Sequence, residues 1–251
     1  MSVANGPDRL VRSGIVGVGL TVRLGETTVL SGVDVTVEPG SVTGVVGASG
    51  TGKTTLIRAV AGLVPIMSGS IRYDGRARPP TGSLAVLAQH ARLVCNPRWT
   101  LRRIIAEPAS VRRTDGRRGP GRPLAIESIA SRVGLAEELL DRRPAQVSDG
   151  QLQRACLART LVQRPDHLLC DEPTAMLDPI AARDVIGLLD EMVDEGVGVL
   201  LVTHQRRLLE PRARSIVDLD RTELDSTELE SADQVAAEHG CRLPTDQVSS
   251  D

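Results

Sequence analysis

The stretch Gly47-Ala48-Ser49-Gly50-Thr51-Gly52-Lys53-Thr54 decides the fold of this chain. It matches G-x-x-x-x-G-K-[ST] in full. Lys53 is the only lysine present: of 30 basic residues in the 251, the other 29 are arginines. A phosphate-binding loop wraps tightly around its anion, and a compact ammonium on a flexible stem fits where a planar guanidinium does not. The flanks agree with the motif. An apolar run at 42–46 leads into the loop and a helical pattern at 54–62 leads out of it. In that strand–loop–helix context, backbone N–H groups turn inward onto phosphate oxygens and the helix adds its positive dipole end. The loop therefore predicts a nucleoside triphosphate site built from Gly47, Ala48, Ser49, Gly50, Thr51 and Gly52. Lys53 is expected on the β- and γ-phosphates, Thr54 on Mg²⁺ and Thr55 on the α-phosphate.

Composition narrows the rest. A hydrophobic content of 41% and a charged content of 25% are those of an ordinary globular protein. The net charge of −2 gives no pull toward nucleic acid. Aromatics are limited to Tyr73 and Trp99, so the core must be aliphatic. Cys95, Cys156, Cys170 and Cys241 show no C-x-x-C spacing, which argues against zinc and for buried thiols in a reducing compartment. Residues 1–12 carry no apolar stretch of signal-peptide type, and the run at 197–202 is too short to span a bilayer.

Outward from the loop, residues 15–46 read as antiparallel strands joined by turns at Gly25-Glu26 and Pro39-Gly40. A hairpin is expected at 69–74 and a strand at 84–89. Residues 97–163 read as helical, broken at 112–123 by five arginines, three glycines and two prolines, a solvated surface loop. Short buried strands at 167–170, 198–203 and 215–220, with a helix at 180–194, indicate a parallel sheet covered on both faces. After Thr222 come eight acidic residues and one basic one, a tail expected to be partly disordered with a helix near 229–239.

A second motif corroborates the first. In Leu168-Leu169-Cys170-Asp171-Glu172 a buried strand ends in two carboxylates, at the sheet edge where ligands bind. Asp171 is expected to hold the Mg²⁺ hydration shell, and Glu172 to polarise the attacking water. Between the two motifs lies Val147-Ser148-Asp149-Gly150-Gln151-Leu152-Gln153-Arg154. Here the chain resembles the ATP-binding-cassette family, whose signature is Leu-Ser-Gly-Gly-Gln, with Val147 for the leucine and Asp149 for the first glycine. Gln89 stands at the family's Q-loop, Ala175-Met176-Leu177-Asp178 at its D-loop and His204 at its switch histidine. His90, His167 and His239 match nothing and read as structural. The resemblance spans most of residues 14–220.

The resemblance implies an α/β P-loop NTPase: a RecA-like parallel sheet core, an N-terminal antiparallel β subdomain and an inserted α-helical subdomain at about 95–160. The ATPase domain would cover 13–225, after a short segment at 1–12 and before an acidic tail at 226–251. It implies ATP and Mg²⁺ as cofactors, with Glu172, His204 and Gln89 catalytic and Thr54, Gln89 and Asp171 about the metal. It further implies a head-to-tail pair with a second cassette ATPase subunit, the same or different. Ser148, Gly150, Gln151 and Asp178 would then face the partner's nucleotide. Integral membrane permeases would be direct partners and an extracytoplasmic solute-binding protein an indirect one, at the cytoplasmic face of the membrane.

Two departures from the family pattern stand out. A carboxylate at Asp149, roughly 6 Å from a γ-phosphate at an effective dielectric of ~20, repels each unit of its charge by about 3 kcal/mol. If it turns onto its own helix start, where aspartate is favourable, that cost falls away; sequence leaves both open. Adenine usually stacks on an aromatic ring before the second strand, and here the position holds Leu24. The stretch from Asn96-Pro97-Arg98-Trp99 through Ile105-Ala106-Glu107-Pro108 resembles the peptide and nickel importer branch. Trp99 reads equally as an anchor for a membrane subunit or as packing within the helical subdomain. The competing readings are a catalytically weak or regulatory cassette in an asymmetric pair, which Asp149 and Leu24 would fit, and a cassette ATPase outside import.

Overall fold

The strands β1 (Ile15–Leu24), β2 (Thr27–Val37), β3 (Val42–Val46), β4 (Ser68–Tyr73), β5 (Leu84–Leu87), β6 (His167–Asp171), β7 (Gly198–Val202) and β8 (Ala213–Asp218) form two sheets. The computed structural model describes residues 13–110 and 125–220. The segment 1–12, the arginine-rich break at 112–123 and the acidic tail at 226–251, with Cys241 and His239, lie outside the described residues.

One sheet is antiparallel, in the order β2-β1-β4, and the other is parallel, in the order β5-β6-β7-β3-β8. The turn at Pro39-Gly40 does not return β3 antiparallel against β2, as the alternation predicts. It sends the chain into the second sheet, where β3 lies parallel between β7 and β8. All five residues of β3 are buried, and only a central strand of a covered parallel sheet hides both faces. The predicted hairpin at 69–74 is likewise a single strand, β4, whose partner is the distant β1. The turn after it closes only a bridge between Tyr73 and Arg76. β5 stops at Leu87, so Gln89 is already in the loop beyond it.

Alternation along the parallel strands separates two cores. Val45, Leu169, Leu200 and Val202 pack with the inner residues of β1 and β2 and with Leu56, Ile57 and Val60 of the helix α1 (Lys53–Val60). Their neighbours Leu168, Cys170, Val199 and Leu201 pack on the opposite face. There they meet α2 (Ala91–Val94), which precedes the region predicted helical, and the helices α3 (Leu101–Ala106), α4 (Ile126–Arg132) and α5 (Asp149–Gln163) within it, which are joined by short 3-10 turns and loops. The long helix α6 (Pro179–Asp194) packs on this face too, through Val185, Leu188 and Leu189. The short α7 (Arg206–Leu209) seats Leu209 against β3, where a Cβ on Gly44 would come within 2.7 Å of the leucine Cδ1.

Trp99 is half-buried and packs on the helical core, with the Arg103 guanidinium 4.4 Å from its ring centroid. The structure thus favours the packing role for this residue. Cys95, Cys156 and Cys170 are all buried, and burial pushes the Cys170 thiol well up, away from reactivity.

α5 depends on its apolar face, in which Leu152 and Ala155 are fully buried. Leu152→Ala is expected to cost about 2–5 kcal/mol, read as a lowered urea midpoint at unchanged slope.

Candidate functional site: a phosphate-binding cavity at the sheet edge

The loop after β3 enters α1 through Gly52, the N-cap residue, at φ 91°. A Cβ there would lie 2.7 Å from Leu30 Cδ2 and 2.9 Å from the Val29 carbonyl oxygen, so both conformation and space require glycine. No side chain caps α1. Its first N–H groups, which have no intrahelical acceptors, are left to face an anion. The Lys53 ammonium donates to the carbonyls of Gly47 (2.8 Å) and Ala48 (2.5 Å), and Thr51 Oγ1 donates to Ala48 as well (3.0 Å). The Ala48 N–H is held by Asp220 Oδ1 at 2.8 Å.

Two strands away, β6 delivers the carboxylates. Asp171 is buried, and burial is the main influence raising its carboxyl. A hydrogen bond with the Thr54 side chain acts the other way, the neighbouring Glu172 raises it further, and Arg58 and Lys53 draw it down. Glu172 follows at φ 47°, a left-handed backbone unusual outside glycine, fixed by its N–H donating to Val202 at 3.0 Å. Such strain costs about 1–3 kcal/mol and collects at working sites. Glu172 Oε2 lies 3.1 Å from His204 Nδ1.

Ser49, Gly50, Gly52, Lys53, Thr54 and Thr55 share one cavity of about 460 Å³ with Gln89, Asp171, Glu172 and His204. Its size suits a small-molecule ligand. It combines an uncapped helix start and an ammonium with a hydroxyl paired to a buried carboxylate. The first two suit a polyphosphate, and the hydroxyl–carboxylate pair, with Gln89 nearby, offers the hard oxygen donors that Mg²⁺ takes. The residues present fit both.

The remaining predicted residues lie outside this cavity. Leu24 ends β1 and is exposed, whereas Val29 of β2 lines the cavity wall. Ser148 caps α5: its Oγ accepts from the Gln151 N–H (3.2 Å), and Gln151 Oε1 accepts from the Ser148 N–H (2.9 Å). Gly150 lies in the first turn of the same helix. Asp178 caps α6, accepting from Ala181 and Ile180 N–H at 3.0 Å each, bonds that hold its carboxyl below the usual range. Asp149 turns neither onto its own helix backbone nor freely outward. Its Oδ1 accepts from Arg92 Nε at 2.5 Å. Arg92 and Asp220 belong to no motif, and sequence reading gave no sign of either.

The family model described as ABC transporter matches residues 30–175. The chain is 34% identical to the nickel import ATP-binding protein NikE of Rhodospirillum rubrum, over 82% of this chain and 78% of that one. It is 33% identical to the glutamine transport ATP-binding protein GlnQ of Escherichia coli K12, over 78% and 83%. Its fold is similar to a solved ATP-binding subunit of an ABC transporter, with TM-score 0.69 at 23% identity, covering 81% of this chain and 85% of that one. It is also similar to the ATP-binding cassette MJ0796, solved as a dimer bound to ADP and Pi, with TM-score 0.68 at 21% identity over 81% and 93%. Among the described residues no helix is long and apolar enough to cross a membrane.

The raised carboxyl of Asp171 makes a testable trade-off. The folded chain keeps that proton to higher pH than the unfolded chain does. The associated stability is present at low pH and is lost as pH rises through the folded value. At neutral pH the ionised carboxylate therefore destabilises the ligand-free fold. Asp171→Asn is expected to raise the melting temperature of the nucleotide-free protein by roughly 2–4 °C, the shift that ~1 kcal/mol makes in a chain of this size. The extra stabilisation that Mg²⁺ adds to ATP should disappear in the same variant, as differential scanning calorimetry would record.

Proposed function

The chain belongs to the ABC transporter family of ATP-binding subunits, and on that premise we propose that it is the ATPase subunit of an importer, acting as one half of a head-to-tail cassette pair. Its cofactors are ATP and Mg²⁺. The observation that carries the reading is the single cavity holding Lys53, Thr54, Gln89, Asp171, Glu172 and His204. Lys53 binds the β- and γ-phosphates, and the free amides of the loop bind their oxygens. Thr54, Asp171 and Gln89 hold Mg²⁺, which screens phosphate charge. Glu172 orients and polarises the attacking water, and His204, hydrogen-bonded to it, fixes the carboxylate and senses the γ-phosphate side of the cavity.

Ser148, Gly150, Gln151 and Asp178 act on the nucleotide of the partner cassette. The capping geometry supports this. Ser148 Oγ accepts from its own helix, which leaves its hydroxyl proton free to donate outward to a phosphate. A second copy of this chain can serve as partner, since Arg92 pairs with Asp149 within its own chain and offsets the charge that would oppose such a pair.

Coupling to a membrane permease, at the cytoplasmic face, runs through the segment after Gln89. Leu63, Val86 and Val94 are exposed and line a groove of about 430 Å³ between α1, β5 and α5, apolar surface suited to a permease segment. Nickel or a peptide is the solute we favour. Relatives named for nickel and for glutamine stand at 34% and 33% identity, so identity alone does not choose. The Asn96-Pro97-Arg98 and Ile105-Ala106-Glu107-Pro108 segments support the choice. Loss of radioactive nickel or labelled dipeptide uptake on deleting the gene checks the solute, and loss of glutamine uptake alone would count against it.

Lys53→Ala is expected to weaken ATP binding at least 100-fold, measured by titration calorimetry. Glu172→Gln should retain ATP binding while turnover falls by about 10²–10⁴, and the protein should sediment as a dimer with ATP and Mg²⁺. Normal turnover by the Glu172→Gln protein would remove Glu172 from its assigned role.

A further inference from the structure

Arg92 begins at an unremarkable place, in the four-residue helix three positions beyond Gln89. All three guanidinium nitrogens are engaged. Nε donates to Asp149 Oδ1 at 2.5 Å, Nη1 to the Pro144 carbonyl at 2.7 Å and Nη2 to the Val147 carbonyl at 2.8 Å. The three acceptors flank Ser148: the turn that leads to it, the residue just before it and the residue just after it. Arg92 therefore clamps the start of α5 from outside the helix, in a fork geometry that an ammonium cannot reproduce.

We infer that Arg92 is a positioning residue of the shared ATP site, neutralising Asp149 and holding the 144–149 turn so that Ser148 and the Gly150 amide can meet the γ-phosphate of a nucleotide bound to another cassette. The inference rests on the head-to-tail reading above.

The charge argument sets its sign. Asp149 is an acid where the phosphate of the partner's nucleotide must approach, and a bare carboxylate there opposes closure. An ion pair with both side chains largely exposed, at 43% and 60%, contributes little to the stability of the folded chain. Its effect belongs to the closed pair, in which a polyanion faces it. Arg92 also shares one short segment with Gln89, which lines the chain's own phosphate cavity. The same segment thus touches one nucleotide directly and sets the signature offered to the other.

The test uses the full-length Glu172→Gln protein and reads the ATP concentration at half-maximal dimerisation by sedimentation velocity. Adding Arg92→Ala is expected to raise that midpoint about tenfold, equivalent to ~1.4 kcal/mol. Adding Asp149→Gly to Arg92→Ala should bring it back to within about threefold of the parent, because the uncompensated charge is gone. Arg92→Lys should fall between, keeping the charge and losing the fork, and serves if Arg92→Ala does not fold. A merely structural clamp would not be rescued by Asp149→Gly: a double variant as weak as Arg92→Ala overturns the inference, and so does an Arg92→Ala midpoint equal to the parent's. Ser148→Arg is the separate check on the underlying reading. If it still dimerises with ATP, the head-to-tail site fails and the inference falls with it. If it does not, while the rescue fails, only the role of Arg92 is refuted.

Discussion

Asp171 of β6 lies opposite Val202 of β7, and Val202 lies opposite Val45 of β3. This one row of parallel partners places everything that acts on phosphate. Strands stand about 4.8 Å apart, so Asp171 is held roughly 10 Å from the strand that launches the loop. Glu172 follows the row on β6, and His204 follows it on β7. Asp171 also shares its face of the sheet with Leu169, the face that packs against α1, and so reaches Thr54. A slip of one residue would turn Asp171 to the opposite face and exchange the apolar sets of the two cores. The alternation that builds the cores therefore fixes the acid as well.

The helix starts divide the labour. α5 and α6 satisfy their first amides with Ser148 and Asp178, whereas α1 starts at a glycine with no side-chain cap. With glycine at that position the missing side-chain cap costs the helix only about a few tenths of a kcal/mol. That cost falls where an anion can remove it, and the buried carboxylate of Asp171 and the left-handed backbone of Glu172 fall beside the same cavity. Three local departures from stability converge on one cavity, which is how a site for a charged ligand differs from the rest of a well-packed core.

Much of this was legible in the sequence. The loop at 47–54 and the acids at 171–172 announce themselves, because phosphate binding demands glycines and an ammonium at fixed spacing and the acids follow a continuous apolar strand. The partners of strands were not legible in the same way. Alternation at 42–46 gives a strand but not its sheet, and the pairing of β4 with β1 spans residues far apart in sequence. Trp99 looked equally suited to a surface and to a core, because size and polarity are the same in both cases. Arg92 was invisible for a different reason: one arginine among 29 carries no pattern, and only the folded backbone brings it to Pro144, Val147 and Asp149. The carboxylate of Asp220 behind Ala48 is legible only in space as well.

The Lys53 ammonium already has acceptors of its own, the peptide oxygens of Gly47 and Ala48. A ligand gains from this lysine only by outbidding them. Neutral molecules offer oxygens no better than a peptide carbonyl and leave the side chain where it is. A polyphosphate, with full charge on its oxygens, forms the stronger charge-assisted bond and draws it across. The loop thus works as a comparator set by its own backbone. It favours charged oxygens over neutral acceptors without any steric barrier.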